Sequence, residues 1–138
     1  MTSLTFPYQT REHSFFGTIT RPVLTLSVYS IQFSRWFSVK NVLVDTGADV
    51  SVVPLGLGQL LVGNVQQGEP IQLGRVVSSA AMFHGFVHSI KTQIGDITFE
   101  MPIAVAMTAT IPPIIGRREA LDRFSIRFVK GQEFVLEM

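Results

Sequence analysis

Asp45 stands where an ionisable group is hardest to explain by structure alone. It follows the short apolar run Val42-Leu43-Val44 and opens Asp45-Thr46-Gly47-Ala48-Asp49, after which Val50-Ser51-Val52-Val53 resumes a strand-like pattern up to Pro54. A carboxylate on a tight turn at the end of a buried strand pays for lost hydration, so a purely structural aspartate tends to avoid such a place. Gly47 removes a side chain that would crowd a ligand and accepts backbone conformations other residues resist. Thr46 carries a hydroxyl able to bond across a turn or to a neighbouring chain. The competing reading is an Asx-type turn in which Asp45 only caps backbone amides.

Other chemistry-bearing residues are weaker. His84 and His88 are four apart, a spacing that aligns two ligands on a helix, but their segment reads as a strand and no nearby carboxylate completes a metal set. A surface or flap role fits them better. Serine, histidine and aspartate all occur, yet no Gly-x-Ser-x-Gly elbow is present to expose and activate a serine. The chain has no cysteine, which removes disulfides, thiolate metal sites and a cysteine nucleophile. Phe6-Pro7 breaks the opening stretch and reads best as an arbitrary apolar-proline pair.

The elements that must hold Asp45 are mostly strands. Val23 to Val28 alternates with period two, as a half-buried strand does, and Trp36 to Val44 runs into the Asp45 turn. Trp36 and Phe37 read as core or interface aromatics. Gly56, Gly58, Gly63 and Gly68 predict a loop-rich middle. Further strands are expected over 71–77, 86–94 and 97–106, and a hairpin over 124–136 around Lys130-Gly131. Arg117 to Arg123 is the one persuasive helical stretch, rich in helix formers and free of β-branching. Residues 1–20 read as an N-terminal arm or an edge strand. The 138 residues suit one domain with a sizeable core, all-β with one short helix near the C-terminus.

Composition narrows the partners. Of the residues 46% are hydrophobic and 15% charged, a balance that leaves apolar surface to be buried against another molecule. A net charge of +1 with scattered basic residues gives no nucleic-acid footprint. The first twenty residues lack the basic start and apolar core of a signal peptide, and no apolar run reaches the roughly 18 residues that span a bilayer. The expectation is a cytoplasmic protein with no membrane partner.

About seventy residues after the Asp45 turn comes Ile114-Ile115-Gly116-Arg117, an apolar pair followed by Gly-Arg. With Leu43-Val44-Asp45-Thr46-Gly47-Ala48-Asp49, in that order, it resembles the two-part signature of the retropepsins, the retroviral-type aspartic proteases. The resemblance covers Pro22 to the end and is specific at the two motifs. It implies a closed β-barrel active as a two-fold homodimer, because this chain has one Asp-Thr-Gly and the chemistry needs two carboxylates. These would share a proton, one serving as general base on water and the other as general acid, with no metal or cofactor. By the same resemblance Thr46 bonds across the axis and Gly47 offers its carbonyl to an extended peptide substrate. Ala48 and Asp49 contact that peptide, Ile115 and Gly116 support the site, and Arg117 holds Asp49 in a two-pronged fork. A flap is expected over 76–85, with Ser78, Ser79, Ala80, Ala81 and Met82 nearest the substrate; its small-residue tip departs from the glycine-rich viral pattern. The longer C-terminal hairpin and the arm suggest a dimer interface unlike the viral one. The alternative is a dimerisation or peptide-binding module that keeps the fold without efficient proteolysis.

Overall fold

The structure, a computed structural model, describes residues 2–75 and 82–138. In chain order its strands are β1 (Ser3–Pro7), β2 (Gln9–His13), β3 (Gly17–Arg21), β4 (Val23–Ser30), β5 (Arg35–Val44) and β6 (Ser51–Val53). Helix α1 (Leu55–Val62) precedes β7 (Glu69–Arg75), β8 (Met82–Ile94), β9 (Ile97–Ala106), β10 (Ile114–Ile115), β11 (Ser125–Val129) and β12 (Glu133–Glu137).

Six strands close on themselves. The hydrogen-bonded order runs β4-β5-β10-β6-β9-β8, and β8 pairs back onto β4 through Ser27↔Gln93 and Val28↔Thr92. The alternation read in β4 points Leu24, Leu26 and Val28 into this barrel, each no more than 3% exposed. Val42 and Val44 of β5 and Met101, Ile103 and Val105 of β9 meet them there. Between Leu24↔Val42 and Leu26↔Val39 the register slips, with Asn41 in the left-handed region at φ 59°. Such a bulge bends and twists a strand, which a small closed barrel needs. β7 continues the sheet outside the ring, paired antiparallel with the first half of β8. A separate three-stranded sheet, β1-β12-β11, gathers both ends of the chain around buried Phe134, on which Phe6 stacks at 5.1 Å.

Three expectations are corrected. Of the two readings of the stretch before Pro22 the edge strand holds for β1, while β2 and β3 form an unexpected hairpin of their own. The residues of that hairpin are nearly all exposed on both faces, so it had no alternation to read. The α-helix lies in the glycine-marked middle. Gly58 is buried against β9, where a Cβ would sit 2.1 Å from Val105 Cγ1, so glycine here permits close packing rather than turning. Around it Leu61 and Val62 bury the helix. Conversely, residues 117–120 make turns and Leu121–Arg123 a single 3₁₀ turn in place of the expected C-terminal helix. Glu119, at φ 51°, breaks the α-helical path while Ala120 and Leu121 reach the core. Among the described residues no helix is long and apolar enough to cross a membrane.

Candidate active site

β5 delivers Asp45 to the rim of the barrel. Val44, the last residue of the strand, is 5% exposed, Asp45 is half-buried, and Thr46 and Gly47 are exposed. The Asp45 amide donates to the Ile115 carbonyl at 3.1 Å, and the Ala48 amide donates back to the Asp45 carbonyl at 3.2 Å. Asp45 Oδ1 accepts the Gly47 amide at 2.9 Å, so the local capping bond is present. Among the described residues that is the one hydrogen bond its carboxylate makes. A Cβ on residue 47 would stand 3.3 Å from Oδ1, close enough to press on the carboxylate. Glycine keeps that oxygen clear.

The second motif is brought beside the first by topology. Ile114 and Ile115, as β10, lie between the strand that enters the turn and the strand that leaves it, parallel to Leu43-Val44 and antiparallel to Val52. Ile115 is fully buried. At Gly116 the backbone passes so near the turn that a Cβ would fall 2.6 Å from the Val50 carbonyl and 2.8 Å from that of Ala48. No other residue fits there without moving the turn. The Arg117 and Arg118 amides then donate to the Ala48 and Asp49 carbonyls, each at 2.9 Å. Arg117 Nη2 donates to Asp49 Oδ1 at 2.5 Å through a single contact, not the expected two-pronged fork. Both side chains are open to solvent, at 47% and 88%, so water competes for the remaining hydrogen-bonding positions.

A groove of about 430 Å³ runs beside the turn. Its floor is Gly47, Ala48 and Asp49 with Val50 and Val52, and its far wall is Ile71, Leu73 and Gly74 of β7. It is open to solvent and partly apolar. The strands that flank the expected flap, β7 and β8, pair from Glu69↔Val87 to Arg75↔Met82. Ser78, Ser79, Ala80 and Ala81 lie outside the described residues, and Met82 is the first residue of β8.

Reasoning from sequence missed two groups. Ile71, Leu73 and Gly74 were read as strand without a role. Ser51, 1% exposed, accepts the Gly116 amide on its Oγ at 3.0 Å. A polar residue inside the apolar run 50–53 was the available signal for it. The remaining candidates have local roles. His88 Nε2 is held at 2.7 Å from the Val65 carbonyl, and His84 is exposed on β8. Phe6 and Pro7 belong to paired strand β1, opposite Phe134 and Glu133. Trp36 is partly exposed, edge-on to Tyr29.

No protein-family model matches the chain, and no curated protein matches it in sequence. Solved structures do match. A retropepsin-like aspartic protease from Rickettsia conorii aligns at 13% identity and a TM-score of 0.53, over 99% of this chain and 94% of that one. The EIAV protease complexed with the inhibitor HBY-793 aligns at 19% identity and a TM-score of 0.47, over 76% of this chain and 86% of that one. With the closed six-stranded barrel, the first of these matches shows the retropepsin-like fold.

Proposed function

We propose that this chain is one half of an aspartic endopeptidase in which two Asp45 carboxylates, one from each subunit of a homodimer, hydrolyse peptide bonds in extended protein segments. The observation that carries this reading is the placement of Asp45. It stands half-buried at the rim of a closed barrel, on a turn stitched to a second motif from below and open to a groove on one side. That construction is costly for a residue with no task.

The chemistry follows from two carboxylates brought face to face. Like charges that close favour holding a single proton between them. The ionised carboxylate takes a proton from a water lying between the pair, and the water oxygen attacks the carbonyl carbon of the substrate. The protonated partner gives its proton to the carbonyl oxygen, forming a tetrahedral diol. The pair then gives its proton to the amide nitrogen while a diol hydroxyl passes its own proton back to the carboxylates; the C–N bond breaks, a carboxylic acid and an amine leave, and one shared proton remains for the next cycle.

The other assignments belong to the same reading. Thr46 ties the two turns across the axis, Gly47 presents its carbonyl to the substrate backbone, and Ala48 with Asp49 flanks the peptide. Main-chain hydrogen bonds hold the extended segment, and the apolar wall of Ile71 and Leu73 sets side-chain preference. Ser78 to Met82 would cover the substrate from above. Ile115, Gly116 and Arg117 keep the turn in place.

The deciding experiment is a cleavage profile on a peptide library, run beside Asp45→Asn. Loss of at least about 100-fold in kcat, with folding and dimerisation intact, is expected from removal of a general acid–base group. Cleavage persisting in Asp45→Asn, or no cleavage by the native protein at any concentration where it is dimeric, overturns the proposal. The second outcome leaves a peptide-binding or dimerisation module.

A further inference from the structure

We infer that Ser51 is a positioning residue for the Asp45 site, acting through Gly116; as a statement about rate, this rests on the peptidase reading above. Three backbone bonds join the second motif to the turn: Asp45 N–H to Ile115 O, Arg117 N–H to Ala48 O and Arg118 N–H to Asp49 O. The Gly116 amide lies between these bonds. The β10–β6 pairing stops at Ile114↔Val52, so no ladder carbonyl is in register to receive that amide. The Ser51 hydroxyl receives it instead, at 3.0 Å.

The hydroxyl is oriented for the task. It is 1% exposed and has Met101 Sδ, 3.9 Å away, as a weak acceptor for its O–H, which leaves an oxygen lone pair for the amide. Among the described residues every other hydrogen bond between the motifs is main chain to main chain, apart from the exposed Arg117–Asp49 pair. Ser51 is therefore the buried side chain through which the height of Gly116 under the turn is set. A Cβ on Gly116 would meet the carbonyls of Val50 and Ala48 at 2.6 and 2.8 Å, so the backbone there is packed closely enough for a movement of Gly116 to be felt by residues 48–50 and, through them, by the Asp45 turn. Displacements of about 1 Å at distance from the reacting atoms can cost on the order of 100-fold in rate. Ser51 does not line the groove beside the turn, so its loss changes kcat rather than KM.

The test compares Ser51→Ala, Ser51→Thr and Ser51→Val in the full chain. Thr and Val have the same shape and differ in the hydroxyl, which separates hydrogen bonding from packing. With kcat expressed per mole of folded dimer, Ala and Val should lose about tenfold or more with KM within about twofold, and Thr should retain most of the native rate. Amide hydrogen exchange gives a readout free of catalysis: the Gly116 amide should exchange at least about tenfold faster in Ala and Val than in the native protein and Thr. Native kcat in Ser51→Ala, equal losses in Thr and Val, or unchanged Gly116 exchange overturns the inference. If the native protein cleaves nothing, the peptidase reading fails by itself, while exchange still decides whether Ser51 holds Gly116.

Discussion

At the scale of single residues, the site depends on what its neighbours leave room for. Gly47 and Gly116 both stand where a Cβ would meet oxygen, in one case the Asp45 carboxylate and in the other two carbonyls of the turn. The consequences differ. Gly116→Ala has to push aside main chain at 2.6 Å and is expected to destabilise by about 1–3 kcal/mol as well as to displace the turn, measured by denaturant unfolding. Arg117→Ala removes a solvent-open ion pair and should change stability by less than about 1 kcal/mol. If Asp49 needs that pair to face the substrate, kcat/KM falls nonetheless; equal kcat/KM in the native protein and Arg117→Ala would remove Arg117 from the site.

At the scale of elements, packing decided what local propensity could not. Gly58 is the clearest instance: two glycines within four residues read as loop, yet α1 forms because Leu61 and Val62 bury themselves and Gly58 seats the helix on Val105. Gly58→Ala is expected to cost about 1–3 kcal/mol, visible as a lower midpoint in urea, because the added methyl would stand 2.1 Å from Val105 Cγ1. The barrel strands were legible since a buried face imposes period two, and Leu24, Leu26 and Val28 state it directly. The pairing of the two motifs was legible through resemblance alone. Nothing local announces that Ile114-Ile115 will lie between β5 and β6, since that contact spans about seventy residues. The turn at 117–120 was misread for a related reason. Its composition favours helix, but Glu119 adopts a positive φ that breaks the helical path as Leu121 turns inward. Ser51 was overlooked because a lone serine in a strand has no signature until its partner is known.

At the scale of the whole molecule, one chain holds one Asp45, so the proposed activity belongs to an assembly. Mixing native protein with an equal amount of Asp45→Asn tests this without any structural information about the interface. If subunits exchange freely, roughly a quarter of the dimers carry two carboxylates, so activity per mole of total chain should fall to about a quarter of the native value. A fall to only one half would mean that each chain works alone. The terminal sheet adds a further consequence. β1 pairs with β12 of its own chain from Ser3↔Glu137 to Pro7↔Glu133, and Phe6 and Phe134 stack within it. A subunit that completes this sheet by itself does not have to trade strands with a partner in order to fold. In the proposed dimer, association would then be a meeting of two finished bodies, reversible on dilution. If that proposal holds, cleavage at low concentration should rise with the square of the amount of chain, so that local accumulation alone would switch the activity on.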